Sequence, residues 1–366
     1  MNIYYEAKRV FYNHTGLGNY GRWLVEEYSK YFPSDNLFLL KPGNKETVYD
    51  SNFNQKPFKI ISYTNQLGIP RIFQLMNKVP SQSVFHGLSA EIPFRKNRKD
   101  SKVVVTIHDV IFLSRKNDYH WIDRNIYWAK LNYSIKNADQ IISISEFTSK
   151  ELIKYTDVDP TKITTLYQNC KSIFYQKLED YTIDAERKRF ALPNEYWICV
   201  SSFNERKNII SILKAYKILK ENDRIPLVFV GGGQLKKKMM NLSSEYNLMN
   251  KFIFLDHVPA HQLPALYQGS CGLIYPSLME GFGIPAVEAM ASGIPILGHQ
   301  SSAVEEAAGK AGVFIDCNIA EDLADSILRL QNDAQLRKEL ERQSRLELQR
   351  FDNGKLMNEL NQIYSA

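Results

Sequence analysis

Short runs of apolar, β-branched and aromatic residues recur through the first half of the chain, at residues 3–5, 37–40, 58–61, 103–107, 140–144 and 163–166. Runs of that length and composition predict β-strands. Between them, residues 20–31 and 121–138 repeat apolar positions at helical spacing. Strand and helix therefore alternate, and a mainly parallel sheet is expected. The pattern lapses across residues 168–194, which are polar and charged, and this stretch is expected to be the interdomain linker. A second series follows, with strands at 197–200, 226–230, 252–255, 272–275, 294–297 and 313–315, and helices at 209–219 and 285–290.

The expected fold class is therefore α/β, with two Rossmann-like doubly wound domains, residues 1–170 and 171–349. A chain of 366 residues exceeds the roughly 250–300 residues at which single cores stop growing, which agrees with two domains. The tail from residue 320 has helical periodicity, and its closing stripe of Leu356, Leu360, Ile363 and Tyr364 needs an apolar surface to cover. Residues 350–366 are expected to pack back on the first domain.

Composition adds modest constraints. With 44% hydrophobic and 23% charged residues the chain is ordinary globular protein, folded throughout. Its start lacks the apolar stretch of a signal peptide, and no segment approaches the ~18 apolar residues of a membrane span, so a cytoplasmic location is expected. Cys170, Cys199, Cys271 and Cys317 stand far apart without a Cys-x-x-Cys pair, which reads as reduced thiols rather than zinc ligands or disulfides. The net charge of +6 is partly local, with Arg95, Lys96, Arg98, Lys99 and Lys102 in one segment. That cluster is either a solvated loop or an anionic docking surface, and no nucleic-acid partner is implied.

The most informative segment runs Tyr275-Pro276-Ser277-Leu278-Met279-Glu280-Gly281-Phe282-Gly283-Ile284-Pro285-Ala286-Val287-Glu288. A strand ends, a glycine loop turns, and Pro285 suits the first turn of a helix. Gly281 and Gly283 bring backbone amides to a helix N-terminus, which suits an anion, while Glu280 and Glu288 suit hydroxyls. Amides for phosphates and carboxylates for hydroxyls fit a sugar nucleotide. A plain loop with surface glutamates is the alternative.

Here the sequence resembles the retaining family 4 glycosyltransferases of the GT-B fold, whose signature is two glutamates separated by seven residues, as in Glu280 and Glu288. The resemblance implies two domains facing across a cleft and a catalytic Glu280 beside the donor sugar. It also implies that Gly281, Phe282, Gly283 and Glu288 bind donor, with Glu288 on the nucleotide ribose. Ser201-Ser202-Phe203-Asn204-Glu205-Arg206-Lys207-Asn208 also matches the family, placing Lys207 on the donor phosphates. The usual earlier arginine is replaced by Ser201, and Arg206 is the available substitute. Without the resemblance, Arg206 and Lys207 would read as a solvated helix start.

In the first domain, the buried run at 103–107 ends in His108, which pattern alone would make structural. The resemblance makes it a catalytic residue facing the donor sugar. His86 ends another strand and is a candidate for the acceptor side, and residues 145–148 match a family segment with no assigned role. Gly16-Leu17-Gly18-Asn19-Tyr20-Gly21 has the spacing of a dinucleotide fingerprint. It follows its strand too late and lacks the answering acidic residue. The family instead has a glycine loop near the donor phosphate, with Gly16 at the matching position. Asp157-Val158-Asp159 precedes Pro160 and reads as turn chemistry rather than a metal site. Residues 231–233, three glycines, read as a strand–helix turn near ligand.

The resemblance thus implies a retaining, metal-independent hexosyltransferase of the bacterial polysaccharide type, with a mannosyltransferase among the candidates. Its substrates would be a nucleoside-diphosphate sugar and a glycan or lipid-linked acceptor. A peripheral contact with the inner face of the membrane is a further expectation. Rival readings are a nicotinamide-dependent oxidoreductase, a non-hydrolysing sugar-nucleotide epimerase and a non-catalytic sugar-nucleotide-binding protein.

Overall fold

The computed structural model describes residues 1–43, 57–63, 75, 78–92 and 100–366. Arg95, Lys96, Arg98 and Lys99 lie outside the described residues, and of that cluster only Lys102 is within them. The chain divides into two units, Met1–Asn169 with Phe351–Ala366, and Cys170–Arg350.

In the first unit the strands are β1 (Asn2–Glu6), β2 (Asn36–Pro42), β3 (Lys59–Tyr63), β4 (Val84–Gly87), β5 (Lys102–Ile107), β6 (Gln140–Ser143) and β7 (Ile163–Thr165). They form one parallel sheet in the order β3-β2-β1-β4-β5-β6-β7. The second unit contributes β8 (Trp197–Val200), β9 (Leu227–Val230), β10 (Phe252–Leu255), β11 (Leu273–Tyr275), β12 (Ile296–His299) and β13 (Gly312–Ile315). Their order is β10-β9-β8-β11-β12-β13, again parallel. In each sheet the order reverses once, between β1 and β4 and between β8 and β11. Open α/β sheets bind ligands beyond the carboxyl ends of the strands at such a reversal.

The cores follow from strands buried on both faces. Phe85, Val103, Val105 and Ile141 pack with Leu131 and Ile135 of the helix Trp121–Asn137 in the first unit. Trp197, Phe229, Phe252 and Leu297 pack with Ile212 and Tyr216 of the helix Ile209–Ile218 in the second. Among the described residues the cysteines are free thiols, three of them buried.

Three expectations change at this level. Residues 168–194 are not a bare linker. The unit boundary falls at Asn169–Cys170, and the stretch carries a helix, Asp180–Arg189, with no buried residue. That helix was illegible because its faces are charged and it has no apolar stripe; Asp184 pairs with Arg187 and Glu186 with Arg189 along it. The glycine run at 16–21 is not a loop either. Gly16 is the first residue of the helix Gly16–Tyr31, so glycines expected to form a phosphate loop instead form its first turns.

His86, a candidate for the acceptor side, is fully buried. Its Nδ1 lies 2.6 Å from the Tyr364 hydroxyl and its Nε2 2.8 Å from Thr106 Oγ1. Burial pushes its pKa down to about 3, so it is a neutral structural group. Tyr364 belongs to the helix Asn353–Ser365, whose Leu356, Met357, Leu360 and Ile363 are also buried. This helix is part of the first unit, where Trp23 Nε1 donates to Asn353 at 3.2 Å and Tyr28 donates to Asn361 at 2.8 Å.

Candidate functional site

The carboxyl end of β8 leads into a 3₁₀ turn, Glu205–Lys207, and the carboxyl end of β11 leads into the segment that begins at Pro276. These are the two sides of the second sheet's reversal, and their residues are knitted together. Leu278 donates its backbone N–H to Arg206 O at 2.9 Å, and the Arg206 guanidinium donates to Met279 O at 3.0 Å.

At the centre lies Glu280, 8% exposed. Its Oε2 accepts from Arg206 at 2.8 Å. Its Oε1 accepts from Lys207, from Tyr275 Oη at 2.8 Å and from Ser277 Oγ at 2.6 Å. Lys207, 7% exposed, also donates to Tyr275 Oη at 3.0 Å. Burial would raise the Glu280 pKa, but the adjacent Lys207 and Arg206 charges and the donors from Lys207 and Ser277 outweigh it and hold it down at about 2. Burial acts the other way on Lys207, lowering its pKa against the pull of Glu280. With the carboxylate held ionised by two cations, the arrangement is a charged triad, Arg206 and Lys207 on one anion.

The Gly281–Gly283 turn then enters the helix Ile284–Ala291, with Gly283 as N-cap and Pro285 in the first turn. Gly283 has φ of 109°, a conformation side chains rarely adopt, and a Cβ there would lie 3.2 Å from the Val304 backbone. Phe282 is buried, so its ring belongs to the core and only its backbone is left to meet a ligand. Gly231, at φ of 127°, brings the turn after β9 against Ser201, where a Cβ would lie 2.1 Å from its carbonyl oxygen.

Glu288 is half-buried and accepts from Tyr267 Oη at 3.0 Å. Burial raises its pKa to about 7, with the Tyr267 hydrogen bond and the Lys171 charge opposing. A carboxyl whose pKa rises on folding, from 4.5 to about 7, keeps its proton while the unfolded chain gives its own up. Its burial therefore costs stability as pH rises through that window, and the cost persists above it. Glu288→Gln should accordingly stabilise the protein by about 1–3 kcal/mol at pH 8 and by little at pH 4.5. Thermal melts at the two pH values measure this, and an equal shift at both would show that the carboxyl is not held protonated.

In the first unit the corresponding reversal carries Arg9 after β1 and Leu88 and Ser89 after β4. Arg9 Nε donates to Ser89 Oγ at 3.2 Å, and His108, just beyond β5, donates its Nε2–H to Leu88 O at 2.8 Å. That bond fixes the tautomer, leaving Nδ1 as the ring's acceptor. Burial, helped by the Arg9 charge, lowers the His108 pKa to about 4, so the ring is neutral near pH 7. Tyr20 packs edge-on against it at 4.6 Å. Thr148 donates to the His108 carbonyl at 3.3 Å, and Ser145 caps the helix Glu146–Tyr155 that carries Thr148, which gives residues 145–148 a structural task. Asp159 Oδ1 accepts from the Thr161 N–H at 2.9 Å, as turn chemistry requires, and among the described residues no group of histidine, cysteine and carboxylate side chains is arranged to hold a metal.

The structure thus brings Arg206, Lys207 and Glu280 into contact beside Gly281–Gly283, places Glu288 in the helix that Gly283 caps, and places Gly16 and His108 in the other unit. Tyr275, Ser277 and Tyr267 complete the carboxylate contacts and were missed as functional. The signal available was Ser277, three residues before Glu280 at the end of a strand.

Comparison with known proteins finds similarity in both units of the chain. Residues 181–347 match the family model described as glycosyl transferases group 1, and residues 79–168 match the model for glycosyltransferase family 4. O-antigen chain mannosyltransferase B of Escherichia coli is 27% identical over 356 residues, covering 91% of this chain and 92% of the relative. O-antigen chain mannosyltransferase RfbU of Salmonella typhimurium is 25% identical, covering 66% and 65%. The chain spans only 28% of a serotype-specific mannosyltransferase, WbdA of Escherichia coli, to which it is 28% identical. Among solved structures, Anabaena HepE in complex with UDP superposes with a TM-score of 0.75 at 16% identity, covering 100% of this chain and 99% of that one. Sucrose-phosphate synthase of Thermosynechococcus elongatus gives 0.78, also at 16% identity, covering 100% and 98%. With family models matched in order at residues 79–168 and 181–347, on two parallel Rossmann-like sheets, the chain is a glycosyltransferase of the GT-B fold.

Proposed function

We propose that this glycosyltransferase takes a sugar from a nucleoside diphosphate and transfers it, with retention and without a bound metal, to a glycan or lipid-linked acceptor. The observation that carries the reading is the pair of cations, Arg206 and Lys207, at the reversal of the second sheet beside a helix N-terminus. Departure of a diphosphate from an oxocarbenium-like sugar builds negative charge on the phosphates, and fixed positive charge there lowers the barrier. Glu288 would take the ribose hydroxyls, and His108 would offer its neutral Nδ1 to a sugar hydroxyl. No residue is assigned as a covalent nucleophile; a same-face mechanism, in which the leaving phosphate helps deprotonate the acceptor, suits that assignment.

A hexose donor, mannose first among the candidates, and a role in polysaccharide assembly are supported by the names of the two O-antigen relatives. No helix among the described residues is long and apolar enough to cross a membrane. A peripheral contact is supported by the helix Trp121–Asn137, which leaves Trp121, Ile122, Ile126 and Tyr127 exposed.

The test is a panel of UDP- and GDP-hexoses offered with glycan acceptors, in EDTA, the product anomer being read by NMR. Transfer with a retained anomer in EDTA is expected, and the same protein should sediment with anionic vesicles. Turnover that stops in EDTA and returns with magnesium or manganese would overturn metal independence. Conversion of the donor without any acceptor would favour the epimerase.

A further inference from the structure

Glu280 presents a physical contradiction. A site meant to receive a diphosphate already holds an anion, and that anion occupies both cations the diphosphate would use. The carboxylate has a physical reason to be there, because a buried ammonium with no partner is costly, and Lys207 is 7% exposed. Lys207 has no carboxylate partner other than Glu280 among the described residues. A diphosphate arriving there must therefore compete with Glu280.

We propose that Glu280 and the donor's diphosphate compete for the same two cations, and that binding proceeds by exchange: the diphosphate takes Arg206 and Lys207, and the carboxylate is released from them. The exchange is favourable because a diphosphate carries more charge and more acceptor oxygens than one carboxylate. Glu280 then keeps two neutral donors on Oε1, Tyr275 at 2.8 Å and Ser277 at 2.6 Å, which offset part of what it loses with the cations. After exchange, Oε2, which Arg206 now holds, becomes an acceptor for a hydroxyl of the donor sugar. One carboxylate thus pairs with both cations before the diphosphate arrives and turns to the sugar only once the diphosphate is seated. The inference rests on the reading of Arg206 and Lys207 as the phosphate-binding cations.

Calorimetric titration with inorganic pyrophosphate, UDP and GDP tests it, using wild type, Glu280→Asp, Glu280→Gln and Arg206→Gln. Removing a competing charged hydrogen-bond partner is expected to tighten the diphosphate, by about tenfold in Glu280→Gln. Glu280→Asp, which keeps the charge but draws it back by one methylene, should fall between that variant and wild type. If Glu280→Gln fails to melt cooperatively, the aspartate variant alone decides. Affinities equal to or weaker than wild type in the folded Glu280 variants would overturn the exchange. Arg206→Gln should weaken all three ligands; if it weakens none of them, the reading of the cations has failed instead.

Discussion

Lys207→Met is expected to lose about 3 kcal/mol of stability at pH 7, the cost of breaking a buried pair and leaving its partner poorly compensated. The loss falls on Glu280, which keeps Arg206 but loses the ammonium on Oε1. The pH dependence identifies the cause. Glu280 has its pKa lowered on folding, from 4.5 to about 2, so its ionised form stabilises the fold fully above about pH 4.5. That contribution fades as pH falls towards 2, because the folded state then gains the proton the unfolded state already holds. The difference between wild type and Lys207→Met should therefore shrink across that interval. Urea denaturation at pH 7 and pH 3 measures it, and a gap of the same size at both would mean that Lys207 contributes packing rather than charge.

The second large effect is expected on turnover. His108→Ala should lower the rate at saturating donor by about 10²-fold or more, the size seen when one preorganised polar group facing developing charge is removed. Affinity for the bare nucleoside diphosphate should change little, since the proposed diphosphate contacts lie in the second unit and His108 in the first. Its low pKa adds a constraint: a ring that titrates near 4 is neutral throughout pH 6–9, so no limb of the rate profile in that range should vanish in the variant. Initial rates and calorimetry on the same preparation give both quantities. Unchanged turnover would remove His108 from the catalytic set, and a matching loss of diphosphate affinity would make it a binding residue.

Much of the fold was legible because parallel strands buried on both faces are written as short apolar runs, and those at 103–107, 197–200 and 252–255 became β5, β8 and β10 within a residue. Elements without an apolar stripe were not legible. The helix Asp180–Arg189 buries nothing and is marked by its ion pairs, which a hydrophobic pattern cannot register. The glycine run at 16–21 was misread because spacing says which residues recur, while the helix that holds them is decided by what packs beside it; a Cβ on Gly18 would meet the Asn13 carbonyl oxygen at 2.0 Å.

The site divides the same way. The sequence by itself determined the family, through Glu280, Glu288 and the residues between them, and placed those residues at the carboxyl edge of a sheet. That inference needs only a strand, a glycine turn and a helix start, all of which are local. Only the tertiary structure decided what each charged group faces. Residues 206–207 and 280 are more than seventy positions apart, and they meet because β8 and β11 are neighbours across the point where the strand order reverses. The same long-range pairing explains why two histidines that look alike in sequence differ. His86, on β4, is enclosed by Thr106 from β5 and Tyr364 from the end of the chain, whereas His108 lies one residue beyond its strand and keeps Nδ1 as an acceptor. A sequence records which groups are charged or polar, but burial and partner distance set their pKa and their task, and both come from residues far away in the chain.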